Sequence, residues 1–422
     1  MGAVDDLRRL LPLGAFRRLL GVRLLSQAAD GMVQVALAAH LVFSPERQTT
    51  PAAIAAVTVA TLLPFTLVGP FTGVVLDRWS RRDVLVGATA LRAALAVVLA
   101  GVLATGAPVA LLFVVVVAGF GVNRFVLAGL SAALPHVVRR DQLLAANAVV
   151  PTAGTLAYVV GLGAGGLVQV VAGGATLVLV AAGGWVLAAL VGHGFGRPAL
   201  GPDRDPALPP PGQTARLVLP GLAAAAAHLR ERPGAATAIG LVAGQRLCAA
   251  LTLMAGVLLY RSTYADPDDP AAGLAGLSVS LLAAGIGFLL AAVVTPWLVD
   301  RWSARQAVTA GIAVGALAQA AFAASLAEPA LVLAAFVLGL GGQVVKICAD
   351  TRVQRDVEDR FRGRVFVLYD MAFNAALIAA AVAGAVLLPP SGRAAGVMAA
   401  VAVALVALAV VSARPGARSR TR

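Results

Sequence analysis

The chain has 422 residues, of which 60% are hydrophobic and only 13% charged, and its mean hydropathy is +0.89; a soluble domain is nearer 45–50% apolar and about 25% charged. A water-soluble enzyme is excluded, and the apolar positions suffice for about twelve helices of the ~20 residues that a bilayer crossing requires. The net charge of +13 sits almost wholly on arginines that do not gather on one soluble face, so nucleic acid is not expected as a partner.

Apolar runs predict six spans in the first half, at 19–43, 52–76, 84–105, 109–134, 143–171 and 175–195. The first run contains Arg23 and Asp30 and has no small-residue cleavage site after a short apolar core, so it reads as a retained helix and not a leader. A proline-rich stretch with a mildly amphipathic segment at 217–229 follows, which reads as a linker ending in an interfacial helix. Six more spans are predicted at 235–260, 274–299, 307–326, 330–351, 365–388 and 394–411. The expected organisation is a six-helix bundle over 1–196, a cytoplasmic linker over 197–234, a second six-helix bundle over 235–413, and a basic cytoplasmic tail over 414–422.

Cytoplasmic loops carry an excess of Lys and Arg. With the N-terminus inside, 25 of the 33 basic residues fall in cytoplasmic segments and three in outer loops, namely Arg47, Arg261 and Arg393. Arg23, Arg92, Arg124, Arg246 and Lys346 lie within spans. Both termini are therefore expected in the cytoplasm. The heavy use of Arg, Ala and Gly indicates a GC-rich bacterial genome, and hence a multi-pass protein of the bacterial plasma (inner) membrane. Cys248, Cys348 and the four scattered histidines make neither a disulfide framework nor a metal-ligand cluster, so no cofactor is expected.

The tetrapeptide Asp77, Arg78, Trp79, Ser80 after the second span recurs as Asp300, Arg301, Trp302, Ser303 after the eighth, 223 residues later. The same four residues at the same station of each half indicate a duplicated architecture. With Gly73, Arg81 and Arg82 the first copy resembles the G-x-x-x-D-R-x-G-R-R loop of the major facilitator superfamily, departing at Ser80. The second copy has Pro296 in place of the glycine and keeps Asp300, Arg301 and Arg305. The resemblance implies an all-α integral membrane protein of twelve transmembrane helices in two pseudo-symmetric six-helix bundles. Three shorter stretches are similar to the branch holding enterobactin-type siderophore exporters and macrolide efflux proteins: Ser26, Gln27, Asp30 and Gly31; Ala133, Leu134 and Pro135 followed by Ala145, Ala146 and Asn147; and Arg362, Gly363, Arg364 and Val365.

Gly73 permits close helix packing, and an aspartate one turn later is placed to meet the positive end of a neighbouring helix. The resemblance puts the eleventh helix there, with Arg362 and Arg364 just before it as partners for Asp77. The cluster is read as a cytoplasmic latch, with Asp300 doing the same against the fifth helix; the alternative is a basic loop that only sets topology.

Charges at mid-membrane cost about 2.5–3.5 kcal/mol on insertion scales and are usually kept for function. Asp30 is a candidate proton carrier or the partner of Arg92 or Arg124; Asp370 is a second proton candidate or a structural residue near a helix end. Lys346 and Asp350 are four apart and can pair. Arg124, Arg246, Lys346, Tyr369, Asn123 and Gln27 are cavity candidates, and the excess of basic over acidic residues within the spans favours an anionic or zwitterionic substrate. The glycines of the fifth span, Gly154, Gly161, Gly163, Gly165 and Gly166, allow a close helix contact, while Leu162 stands where the family's antiporters often have proline.

The leading function is a monomeric secondary active transporter in the lipid bilayer, exporting a small amphipathic siderophore- or drug-like compound in exchange for protons by alternating access. The alternatives are a proton-coupled uptake symporter or facilitator and, from another class, an intramembrane enzyme or a receptor. No phosphate-binding G-x-x-x-x-G-K-[ST] loop is present for ATP hydrolysis.

Overall fold

The computed structural model describes residues 10–41, 79–139, 142–201, 211–266 and 269–414, with scattered positions between 51 and 71. Eleven α-helices organise them: α1 (Gly14–Leu41), α2 (Arg81–Thr105), α3 (Val109–Ala133), α4 (Leu143–His193), α5 (Pro211–Arg230), α6 (Pro233–Leu259), α7 (Pro270–Arg301), α8 (Ala304–Ser325), α9 (Glu328–Asp356), α10 (Asp359–Leu387) and α11 (Ala395–Ala413). Among the described residues, nine helices are long and apolar enough to cross a membrane. One of them, α4, holds two predicted spans. The 28-residue α1 is also long enough to cross, and its polar residues lower its hydropathy. The predicted span at 52–76 lies largely outside the described residues.

The break in α4 is at Gly173, whose φ of 77° and ψ of 171° only glycine adopts readily. Neighbours along α1 show the chain reversing there. Gly154, Gly161 and Gly165 lie against Arg23, Ala28 and Met32 in ascending order, whereas Gly184, Gly192 and Gly194 lie against Ala29, Val22 and Arg18 in descending order.

Serine caps start two helices at equivalent stations. Ser80 Oγ accepts from the Asp83 amide at 3.3 Å and opens α2; Ser303 forms a capping box with Gln306 and opens α8. This capping is a physical use for the serine that stands where the family has glycine. Two predicted boundaries are corrected, the first by this cap and the second at an uncapped helix start. Helix α2 begins at Arg81 rather than 84, and α10 begins at Asp359 rather than 365, so Arg362 and Arg364 belong to the first turns of a helix and do not precede it. Charged first turns escape a hydropathy reading even where the backbone is already helical.

The chain divides into two units, Met1–Leu41 with Leu67–Leu217 and Val42–Thr66 with Val218–Arg422. In the first, an apolar cluster including Phe16, Leu130, Val150 and Ala188 ties together α1, α3 and α4. In the second, Ala291, Ala307 and Val344 do the same for α7, α8 and α9. Large apolar side chains such as Val171, Val293 and Val386 are exposed while Asp30 and Arg92 are buried. That inversion suits a chain solvated by lipid, where polar side chains must find partners inside. The last turns of α5 carry Leu222, Ala225 and His228 on a buried face, with the His228 ring stacked on Phe361 of α10 at 4.5 Å.

Candidate functional site

Asp30 lies midway along α1 in the first unit and is paired with Arg92 of α2. The pair is 7% and 3% exposed, so both charges are largely withdrawn from bulk solvent. Asn123 Nδ2 of α3 donates to the second carboxylate oxygen at 3.5 Å. Trp185, in the returning half of α4, covers the guanidinium at 4.1 Å from its ring centroid, and its Nε1 donates to the Ser26 carbonyl at 3.3 Å. Arg23 lies within electrostatic reach of the same carboxylate. A small cavity of about 30 Å³ adjoins Asp30, Arg92, Phe120 and Trp185, a volume that admits a water molecule. Four helices thus surround one carboxylate that could give up or take a proton only by rearranging its partners. Gln27 lies half-buried one turn before Asp30, and Arg124 is half-buried beside Asn123.

The second unit has a looser cluster. Lys346 Nζ of α9 bonds Asp350 Oδ2 at 2.7 Å, with the two side chains 35% and 30% exposed. The ammonium also sits 5.7 Å from the ring centroid of Tyr369 on α10, a residue whose hydroxyl is buried. Arg246 of α6 stacks on Phe373 of α10 at 4.4 Å. Asp370 is exposed where its neighbour Tyr369 is buried, and its carbonyl accepts from Asn374 Nδ2 at 2.8 Å. The 223-residue offset relates two pairs of these positions: Arg23 to Arg246, and Asn123 to Lys346. Trp185 and Phe373, the aromatic covers of buried Arg92 and half-buried Arg246, were missed in the sequence reading; an aromatic in an apolar run gives no sign of facing a charge.

Residues 19–265 match the family profile of the Major Facilitator Superfamily. Uncharacterized MFS-type transporters of Mycobacterium tuberculosis and Mycobacterium bovis are each 36% identical over 404 residues, covering 93% of this chain and 89% of theirs. The chain belongs to the major facilitator superfamily. Solved structures of the superfamily fold agree: a point mutant of the nucleoside transporter NupG has a TM-score of 0.72 at 18% identity, covering 94% of this chain and 98% of that one. The peptide transporter POT in complex with sulfate has a TM-score of 0.74 at 13% identity, covering 94% and 93%. This member of the superfamily is therefore a multi-pass membrane transporter of small molecules and not an enzyme.

Of the superfamily loop motif, Gly73, Asp77 and Arg78 lie outside the described residues. Arg81 and Arg82 tie the start of α2 to other elements of the first unit. Arg81 Nη1 donates to the Ala132 carbonyl at 3.0 Å and the Leu200 carbonyl at 3.3 Å, and Arg82 bonds Asp83 at 2.7 Å and the His193 ring at 2.9 Å. Asp300, Arg301 and Arg305 form an exposed run from the end of α7 into α8. In α10, Arg362 donates to the Val357 carbonyl at 3.5 Å, and Arg364 lies against Gly221 of α5.

The glycines of α4 divide by role. A Cβ at Gly161 would collide with the Ala28 carbonyl, and one at Gly31 with the Tyr158 carbonyl, so α1 and α4 touch backbone to backbone. Gly163 and Gly166 meet nothing within 4 Å. The equivalent pair in the second unit is Met254 and Gly384, where the obstacle is a methionine side chain.

Proposed function

We propose that this transporter is a proton-coupled exporter of a small amphipathic compound, of the siderophore- or drug-like kind handled by the enterobactin-exporter and macrolide-efflux branch. The observation that carries the reading is the buried Asp30, surrounded by Arg92, Asn123 and Trp185 within helices that otherwise present apolar residues. A buried ion pair is a poor source of stability, since desolvation offsets most of the attraction, and its retention within a span favours a functional role. Protonating Asp30 removes its attraction for Arg92 and loosens the contacts that join α1 to α2. Deprotonation restores them. Coupled to rocking of two halves, 1–196 and 235–413 about the linker 197–234, that cycle would exchange a proton for substrate. Asp370 is a second carboxylate for the same task. Arg246, Lys346, Tyr369, Arg124 and Gln27 are the proposed substrate-facing groups, and their cationic balance suits an anionic or zwitterionic compound. Asp77 and Asp300 with their arginine neighbours are the proposed gate latches, and the arginine distribution favours termini in the cytoplasm of a bacterial plasma membrane.

The test is to reconstitute the protein in vesicles and record internal pH on addition of catechol siderophores, macrolides and cationic dyes, for the wild type and Asp30→Asn. Substrate-dependent proton flux in the wild type, absent from the variant, is the expected result. Substrate flux insensitive to a pH gradient would move the reading to a facilitator, and proton movement in the same direction as the substrate would move it to an uptake symporter.

A further inference from the structure

The second unit also contains a cleft of about 350 Å³ at the end of its bundle where α11 finishes, lined on α9 by Val345, Cys348, Ala349 and Arg352, which alternate along the helix with the Lys346–Asp350 pair. The first turns of α6 and α8 and the last turns of α9 and α11 form its walls. Its depth is apolar, from Leu241, Val308 and Val345, and its rim is basic, from Arg305, Arg352 and Arg414. Asp356 occupies one side of the Arg352 guanidinium. Among the described residues, no carboxylate pairs with Arg305 or Arg414. Gly234 lets Arg352 lie directly on the start of α6, where a Cβ would collide with it. No side chain caps the first amides of α6, so the positive end of that helix faces the same rim.

Three guanidiniums and a helix N-terminus set over an apolar depth match an amphiphile with an anionic head. We propose that this cleft binds one anionic phospholipid, with the phosphate held among Arg305, Arg352, Arg414 and the start of α6 and an acyl chain along Leu241, Val308 and Val345. Basic pockets between spanning helices recognise lipid head groups by this chemistry, and bidentate arginine contacts suit phosphate geometry. A free phosphate would leave the apolar depth without a partner. The lipid would bridge the ends of four helices, including the α8 start that follows the second copy of the loop motif, so membrane composition would bear on how that end of the unit moves. Only the leaflet supplying the lipid rests on the orientation proposed above; binding itself is read without transport.

The experiment is native mass spectrometry of the purified full chain with phosphatidylglycerol or phosphatidylcholine. One phosphatidylglycerol should be retained in preference to phosphatidylcholine. Its retention should fall about a hundredfold in Arg305→Gln/Arg414→Gln, as expected for losing two charge-assisted contacts, and be unchanged in Arg393→Gln. Equal retention of the two lipids, or full retention by the double variant, would overturn the proposal, and displacement by inorganic phosphate at matched concentration would reassign the site to the free anion. A second measurement needs no variant, because Cys348 lines the cleft while Cys248 is buried. In nanodiscs of the wild-type protein, phosphatidylglycerol should slow alkylation of Cys348 several-fold relative to phosphatidylcholine; equal rates would count against a lipid in the cleft.

Discussion

Asp30 and Asp350 each meet a cation within a spanning helix, yet the two pairs differ in kind. The first is sealed at 7% and 3% exposure under an indole, whereas the second is about one-third exposed and lies at a single turn's separation on one helix. The equivalent α1–α4 and α6–α10 crossings follow the same division, although α7 and α9 of the second unit do touch backbone to backbone at Gly287 and Gly339. The α1–α4 crossing needs glycine on both sides, whereas the equivalent position to Gly31 in the second unit is Met254, a flexible side chain that can give way. Duplication of the helices has not duplicated their energetics: the first unit is locked around a charge, and the second keeps its charges available.

The sharpest way to break that contrast is Arg92→Leu. Removing one partner of a buried pair leaves an uncompensated charge, and reversible unfolding in detergent should register a loss of about 3–5 kcal/mol. Asp30→Leu/Arg92→Leu should recover most of it, since neither charge then remains to be desolvated. A single variant as stable as the wild type would mean that the first cluster is no more sealed than the second. Gly161→Ala should come next, at about 1–3 kcal/mol, because its Cβ meets backbone that cannot rotate away. Gly384→Ala should cost less than Gly161→Ala in the same assay, the obstacle there being the Met254 side chain; equal costs would erase the distinction between the crossings. Lys346→Met should change stability by no more than about 1 kcal/mol, as for other partly exposed pairs. If it weakens substrate binding in an equilibrium titration while leaving stability intact, the second cluster's availability becomes a functional property.

Much of the helical layout was legible in the sequence because hydropathy runs report lipid-facing surface directly. What hydropathy hides is the start of a helix whose first turn is charged. Arg81 and Arg362 were therefore read as loop, and only the serine cap before α2 would have signalled the earlier boundary. Asp30 stood out as an isolated acid in an apolar run. Its cation could be narrowed only to Arg92 or Arg124, since the choice depends on the rotation of α2 and α3 about their own axes. The glycines of the fifth span announced a close contact, but not that Gly161 bears it while Gly163 faces open space. Trp185 meets Arg92 across 93 residues of chain through a reversal that no local pattern announces.

That reversal has a consequence for how the protein is made. The two limbs of α4 are joined at Gly173 with no charged residue from Leu143 to His193. A translocation channel that releases helices sideways as each hydrophilic boundary passes finds no boundary here. The limbs must enter the bilayer together as a hairpin, so whatever delays the second limb during synthesis also delays the first.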